Sequence, residues 1–299
     1  MTVNLNGVFA PVVTTFSPRD GELDLAAFES NVAAHMAVGL HGVVVTGSTG
    51  EAALLDAAER GALVDAARKL IPSGKGLIVG TGAESTRTCV HLTRDAADRG
   101  ADAVLVVAPH YYGSAMSTAA LRRHYLQVAD ASPVPVLLYN IPKYMHFAID
   151  AALVAELAGH ENIIGIKDSS GNRDLFASYM QSQSSSFAVL TGNGPMFHHA
   201  MSTGGRGGIL AVALFAAALS LDVFDSVRGG DDSAATAAQS RLTPVGAKIV
   251  GDLGVAGVKA AMDRVGLAGG PVRSPLLPLD RAQREVVHQL LESAELAAA

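Results

Sequence analysis

The chain has 299 residues, of which 49% are hydrophobic and 17% charged, and its formal net charge is −6. A chain of this length can bury a large core, either as two ordinary domains or as one large α/β barrel. Because its 22 basic residues form no block or stripe, the composition argues against a nucleic-acid partner.

Eight short runs rich in Val, Ile and Leu predict β-strands, and the segments between them, with apolar residues three and four positions apart, predict helices. In chain order the predicted strands are 8–15, 42–46, 77–80, 103–108, 134–139, 163–167, 187–191 and 207–211, with helices at 25–38, 57–70 and 86–99 among those between them. Asp56 and Glu59 have the spacing of a capping box at the start of the second of these helices.

Continuous apolar strands that alternate with helices are typical of a parallel sheet whose outer face is covered. Eight such repeats favour a (β/α)8 TIM barrel over an open sheet. We therefore predict a catalytic barrel over residues 1–222 and a C-terminal helical appendage over 223–299, packed on the barrel. The helices of this appendage are predicted near 233–252, 255–265 and 281–298. In such a barrel the active site lies at the C-terminal ends of the strands.

Among the six lysines, Lys167 is the one that ends a predicted strand, and Asp168 follows it directly. Desolvation by the barrel interior favours a neutral amine, and a neutral amine can attack a ketone to form a Schiff base. The alternative is that Lys167 forms an ion pair with Asp168 or with another carboxylate at the rim of the barrel.

Tyr139 ends the strand before that of Lys167 and precedes the lysine by 28 positions (167 − 139), about one βα unit. The two side chains are therefore expected on neighbouring strand ends. There a phenol can shuttle protons while a carbinolamine forms and loses water. The alternative is a core tyrosine that is hydrogen-bonded to a carbonyl.

The loop Gly-Ser-Thr-Gly-Glu at 47–51 follows the second predicted strand. Two hydroxyls, those of Ser48 and Thr49, lie between glycines, so backbone N–H groups and hydroxyls together can approach a small carboxylate. The alternative is an ordinary turn in which one of these hydroxyls caps the next helix. Taken with Lys167 and Tyr139, this loop predicts a site for a 2-oxo acid.

The chain resembles the dihydrodipicolinate synthase/N-acetylneuraminate lyase family of class I, Schiff-base aldolases in three motifs. These are Gly-Ser-Thr-Gly-Glu at 47–51, Tyr-Asn-Ile-Pro at 139–142 and Gly-Ile-Lys-Asp-Ser at 165–169. The resemblance covers nearly the whole chain, from 7–16 to 269–275. Residues 109–117 and 255–259 look most like the 4-hydroxy-2-oxoglutarate aldolase branch of the family.

The resemblance implies that Lys167 forms the imine and that Tyr139 relays protons. It also implies that Tyr111 reaches into the neighbouring subunit's site across a tight dimer, in a homotetramer built from two such dimers. The predicted substrate-binding residues are Ser48, Thr49, Gly47, Ser169 and Ile209. The only ligand expected is a 2-oxo acid with a pyruvate moiety, with no metal and no organic cofactor.

By the same resemblance, the reaction is expected to be cleavage of 4-hydroxy-2-oxoglutarate to pyruvate and glyoxylate. The alternatives are a dihydrodipicolinate synthase that condenses pyruvate with aspartate semialdehyde, an aldolase or dehydratase for 2-keto-3-deoxy sugar acids, and a pyruvate-binding regulator without turnover. Synthases of the lysine pathway carry an arginine where this chain has Tyr144, and a phenol cannot make the bidentate contact of a guanidinium with a carboxylate. Lys143 or His146 could bind that carboxylate instead.

The remaining features concern the cellular setting. The single cysteine, Cys89, can form neither an internal disulfide nor a cysteine-based metal site. The longest apolar run, 209–219, is too short to cross a bilayer, and residues 1–6 lack the pattern of a signal peptide. We therefore expect a cytoplasmic protein with no membrane partner.

Overall fold

Eight parallel strands close into a barrel in the computed structural model, which describes residues 3–296. Each strand pairs with its neighbours in sequence, and the first pairs with the last. The strands are β1 (Gly7–Pro11), β2 (Gly42–Val45), β3 (Gly76–Gly80), β4 (Ala103–Val107), β5 (Val136–Asn140), β6 (Ile163–Asp168), β7 (Ala188–Thr191) and β8 (Gly207–Ile209). The prediction of a TIM barrel is confirmed.

Helices alternate with the strands and cover the outer face of the barrel. They are α1 (Leu25–Ala37), α2 (Ala57–Arg68), α3 (Thr86–Asp98), α4 (Thr118–Ala131), α5 (Pro142–Met145), α6 (Ala151–Leu157), α7 (Arg173–Met180), α8 (Phe197–Ser202), α9 (Ala217–Gly229), α10 (Asp232–Val245), α11 (Gly254–Arg264) and α12 (Arg281–Ser293). The predicted capping box is present at α2: Asp56 Oδ1 accepts from the Glu59 N–H at 2.8 Å, and Glu59 Oε2 accepts from the Asp56 N–H at 2.9 Å.

The apolar run predicted a first strand that ends at residue 15, but the strand ends at Pro11. Residues 12–15 are buried, which explains their composition, but they lie beyond the strand, and the hydroxyls of Thr14 and Thr15 bind neighbouring loops. The Thr14 hydroxyl donates to the carbonyl of Gly50, and the Thr15 hydroxyl donates to that of Asp24, each at 2.6 Å. Burial pattern alone could not separate the strand from the braced loop that follows it.

The seam at which the barrel closes, where β1 pairs with β8, requires a glycine. Gly7 and Gly207 face each other across it, and a Cβ on Gly207 would stand 2.1 Å from the Gly7 carbonyl oxygen. Because only glycine lets two backbones approach this closely, the ring can close here.

The C-terminal helices continue directly from the barrel. Residue 222, predicted as the last residue of the barrel, lies inside α9. Farther along the chain, α10 continues into a π-helical segment, Gly246–Asp252. Leu242, Ile249 and Val258 belong to the same buried core as the strands. The predicted helix 281–298 starts at Arg281 as α12 and ends at Ser293, and its last predicted residues, 297–298, lie outside the described part. Within residues 3–296, every helix is too short or too polar to cross a membrane.

Candidate active site

Lys167 and Tyr139 face each other on two adjacent strands. Their Cα atoms are register partners in the pairing of β5 with β6, which is the relationship that the 28-residue spacing indicates. The Lys167 Nζ lies 4.1 Å from the centroid of the Tyr139 ring. The two residues are only 5% and 4% exposed. An amine and a phenol are thus held together in a largely dry environment, which is the arrangement needed for assisted attack on a carbonyl.

Asp168, the next residue along β6, does not pair with the lysine. Its carboxylate accepts hydrogen bonds from Asn140 Nδ2 at 2.8 Å and from the Ser170 hydroxyl at 2.7 Å. Burial raises the pKa of Asp168, and these hydrogen bonds oppose the shift. Within residues 3–296 no carboxylate lies at ion-pair distance from Lys167. The alternative in which Lys167 forms a rim ion pair is therefore wrong.

A cavity of about 170 Å³ opens over Lys167 at the C-terminal ends of the strands. Six of the residues predicted from the sequence line it: Ser48, Thr49, Tyr139, Lys167, Ser169 and Ile209. The charged side chains in its described lining are two lysines, Lys143 and Lys167. Since no carboxylate lines it among the described residues, the cavity suits an anionic ligand.

Gly192, at the end of β7, makes room for the lysine. A Cβ at this position would stand 1.9 Å from the Ser169 hydroxyl oxygen and 2.7 Å from the Lys167 Cε. Any side chain here would push one or both of these groups out of place. From the sequence, Gly192 is expected to end the strand and to leave room for substrate; the structure shows that the room is taken by Ser169 and Lys167.

The turn with the two hydroxyls is fixed from both sides. Ser48–Gly50 forms one 3₁₀ turn, and the Thr14 hydroxyl binds its last carbonyl. Glu51 follows with φ 55°, in the left-handed region that side chains other than glycine adopt at a cost. Because α2 is capped by Asp56, the alternative in which Ser48 or Thr49 caps that helix is wrong.

A second, larger cavity of about 870 Å³ adjoins the first and shares Ser48, Tyr139 and Tyr144 with it. Gly47 lines this larger cavity and not the one over Lys167. Tyr111 lines neither cavity and is 77% exposed. A single chain therefore does not bring Tyr111 to its own lysine.

The residues after Pro142 surround the mouth of the Lys167 cavity. Tyr144, in the position where the lysine-pathway synthases carry arginine, lines both cavities. Lys143 lines the smaller one, where its Nζ donates to the Gly251 carbonyl at 2.6 Å. His146 lines neither. Of the two alternative carboxylate ligands, Lys143 is the one the fold brings to the cavity.

The sequence is similar to those of known proteins over nearly its whole length. The model of the dihydrodipicolinate synthetase family matches residues 4–294. A 4-hydroxy-tetrahydrodipicolinate synthase of Methanoculleus marisnigri is 32% identical over 288 residues, which cover 95% of this chain and 98% of the relative. An enzyme of the same name from Xanthomonas axonopodis pv. citri is 35% identical over 292 residues, which cover 98% and 95%.

A solved structure shares both the fold and the arrangement of elements. It is a prophage protein of E. coli K12 that belongs to the dihydrodipicolinic acid synthase family, in complex with pyruvate. The TM-score is 0.92 and the sequence identity 30%, with 98% of this chain and 99% of that chain covered.

Proposed function

Because the chain belongs to the dihydrodipicolinate synthetase family and is a class I lyase, we propose that Lys167 is the residue that forms its Schiff base with pyruvate. The observation that carries this proposal is the position of the Lys167 Nζ, buried and 4.1 Å from the ring centroid of Tyr139 at the floor of the cavity. Such an amine has no ion-pair partner in the described part of the chain, so no carboxylate there competes with a substrate carbonyl for it.

The reaction begins when the neutral Lys167 amine attacks the C2 ketone of pyruvate. The Tyr139 phenol passes a proton to the carbinolamine oxygen, water leaves, and a protonated imine remains. The Tyr139 phenolate then takes a proton from C3, which gives an enamine. The enamine carbon attacks the carbonyl of an aldehyde, and the new alkoxide takes the proton from Tyr139. Hydrolysis of the new imine releases the product and returns the free amine.

The carboxylate of pyruvate is assigned to the turn at Ser48 and Thr49. Both residues line the cavity over Lys167, and glycines flank them, so hydroxyls and backbone N–H groups can converge on an anion. Donors fixed before the substrate arrives stabilise the developing charge without reorganising during the reaction. Ser169 and Ile209 complete the predicted contacts to the pyruvate moiety.

For the second substrate, an aldehyde that carries a carboxylate fits best. Lys143 stands at the same cavity with only a carbonyl as its hydrogen-bond partner among the described residues. The names of the relatives favour aspartate semialdehyde, which is condensed with pyruvate, over the cleavage of 4-hydroxy-2-oxoglutarate expected from the sequence. Tyr144 in place of arginine is the observation that keeps the cleavage reaction as a second candidate.

Two measurements test these assignments. Borohydride reduction in the presence of pyruvate, followed by peptide mass mapping, should place the adduct on Lys167 in the wild type and in a Lys69→Ala control. Lys167→Ala should carry no adduct, and an unmodified Lys167 in the wild type would contradict the proposal. Steady-state assays of pyruvate with aspartate semialdehyde, and of 4-hydroxy-2-oxoglutarate cleavage, then decide between the two reactions by kcat/KM.

The assembly proposed for the chain is a homotetramer of tight dimers in the cytoplasm. The exposure of Tyr111 and Tyr112, 77% and 69%, supports a subunit contact at this loop, because large aromatic side chains are enriched in interfaces. Light scattering after size-exclusion chromatography checks the mass. Loss of activity in Tyr111→Phe would support the contribution of its hydroxyl to a neighbouring site.

A further inference from the structure

A buried ion pair connects the hydroxyl-bearing turn to the C-terminal helices. The Lys259 Nζ on α11 lies 2.5 Å from Glu51 Oε1, and the two side chains are 2% and 0% exposed. Glu51 comes directly after the turn Ser48–Gly50. Neither residue lines the cavity over Lys167, so neither can touch a ligand there.

Both partners make contacts beyond the ion pair. The Lys259 Nζ donates to the Pro271 carbonyl at 2.7 Å and lies 4.6 Å from the centroid of the Phe16 ring. Glu51 Oε2 accepts from the backbone N–H of Arg273 at 2.8 Å. Burial lowers the pKa of Lys259, and Glu51 opposes the shift. Glu51 Oε1 meets the Lys259 ammonium as an ion-pair contact and, among the described residues, accepts no hydrogen bond.

Such a pair is a poor device for stability alone. Removing two charges from water is costly, and well-packed apolar residues in their place are often as stabilising or more so. What an ion pair adds is a defined separation between two backbone segments.

The two segments are neighbouring parts of the lining of the cavity over Lys167. Ser48 and Thr49 belong to one, and Val255 and Val258 of α11 belong to the other. Lys259 directly follows Val258, as Glu51 follows the turn, so the ion pair joins the two segments next to the residues that line the cavity. Glu51 itself has a left-handed backbone conformation, φ 55°, at the point where the turn ends.

We propose that Glu51 and Lys259 are positioning residues that hold the Ser48 and Thr49 hydroxyls in the orientation required to bind the carboxylate of the 2-oxo acid. The inference rests on the proposed function, since it assigns that carboxylate to the turn. It predicts an effect on pyruvate binding that is separate from any effect on the lysine chemistry.

The test is the double variant Glu51→Gln/Lys259→Met, which removes both charges at nearly constant volume. Because it leaves no unpaired buried charge, it should fold and melt close to the wild type. Its Kd for pyruvate by titration calorimetry and its KM for pyruvate should rise about tenfold or more, because the Ser48 and Thr49 hydroxyls would lose the residues that hold them in place. The kcat and the KM for the aldehyde should change by less than about threefold, because Lys167 and Lys143 are untouched.

The matched control is Lys248→Met, which breaks an exposed ion pair with Asp252 on the neighbouring segment and should leave every constant unchanged. A folded double variant that binds pyruvate as tightly as the wild type would overturn the inference. If the double variant does not fold, Glu51→Gln/Lys259→Leu, which also leaves no unpaired buried charge, is measured in the same way. Loss of fold in both would assign the pair to stability and overturn the positioning role.

The two proposals fail differently. A wild-type protein that borohydride and pyruvate do not modify at Lys167 would contradict the proposed function. A wild type that is modified, beside a folded double variant with an unchanged pyruvate Kd, would contradict only the positioning role.

Discussion

Asn140 and Asp168 face each other on β5 and β6, one residue beyond Tyr139 and Lys167, and the amide of Asn140 donates to the carboxylate of Asp168 at 2.8 Å. Asn140 Oδ1 also accepts from the Ile149 N–H at 3.0 Å. This amide holds a buried carboxylate in a hydrogen bond, away from the Lys167 amine. The register that pairs Tyr139 with Lys167 therefore also places Asn140 beside Asp168.

Asn140→Leu should lower the free energy of unfolding by about 1–3 kcal/mol, because it removes a donor from one buried group and an acceptor from another. Denaturant unfolding measures the change. Ser170→Ala is the matched comparison: Ser170 is only half-buried, so water can replace its hydroxyl and the loss should be smaller. Equal losses in the two variants would contradict the role given to Asn140.

Tyr139→Phe should lower kcat by roughly 10²–10⁴-fold, since it removes the hydroxyl proposed to pass protons but retains the ring beside Lys167. Pyruvate should still bind, and prolonged incubation with borohydride should still modify the lysine. Stopped-flow measurement of imine formation gives the rate. An unchanged rate would show that protons reach the carbinolamine by another route.

Gly192→Ala should lower kcat/KM by about 10²-fold or more, because its methyl group would displace Lys167 or Ser169 by a distance that matters for reacting groups. Gly229→Ala is the control, since a Cβ there meets no atom within 4 Å. Circular dichroism should show both variants folded. Full activity in Gly192→Ala would mean that the lysine does not need its present position.

Lys143→Met should lower kcat/KM for a carboxylate-bearing aldehyde by about 10–100-fold, through loss of a charge-assisted contact of the kind that contributes about 1.5–3 kcal/mol. The KM for pyruvate should remain the same. Lys75→Met removes a lysine that also donates to a carbonyl, that of Gly39 at 3.0 Å, at a position that lines neither cavity. Equal effects in the two variants would exclude a substrate contact for Lys143.

The contact of Arg273 with Glu59 should make stability depend on pH. Hydrogen bonds from Arg273 hold the pKa of Glu59 below its ordinary value of 4.5, so the unfolded chain binds more protons than the folded one as that group titrates. The stabilisation is full above the pKa of the unfolded state and is lost as the pH falls through the lowered pKa of the folded state.

Arg273→Gln should therefore cost about 1 kcal/mol at pH 7, a modest figure because solvent screens the pair, and the difference from the wild type should shrink towards pH 3. Urea unfolding at the two pH values measures it. Arg122→Gln, which breaks an exposed pair with Glu156, should change little at either pH. A difference that stays constant with pH would contradict the assignment.

Much of the fold and the centre of the site could be predicted because they depend on local periodicity. A βα unit has a nearly constant length, so the spacing of Tyr139 and Lys167 was enough to predict neighbouring strand ends. The position of Ser48 after a strand likewise placed its hydroxyl at the same end of the barrel.

What could not be predicted depends on contacts between distant parts of the chain. The sequence indicated that Glu51 could cap or brace the loop of Ser48 and Thr49, and it placed Lys259 in the family-like stretch 255–259, but no local pattern relates the two residues. The crowding at Gly192 is visible only once β6 and β7 are side by side. Tyr111 stays a prediction, because its role involves a second subunit.

The bare seam at Gly7 and Gly207 has a further consequence. A closed ring offers no free strand edge, so these continuous apolar strands present no template on which another molecule could add a strand and aggregate. A side chain at position 207 would have to push β1 and β8 apart, which would expose such an edge on each strand. Protection of this seam from added strands therefore depends on the absence of a single methyl group.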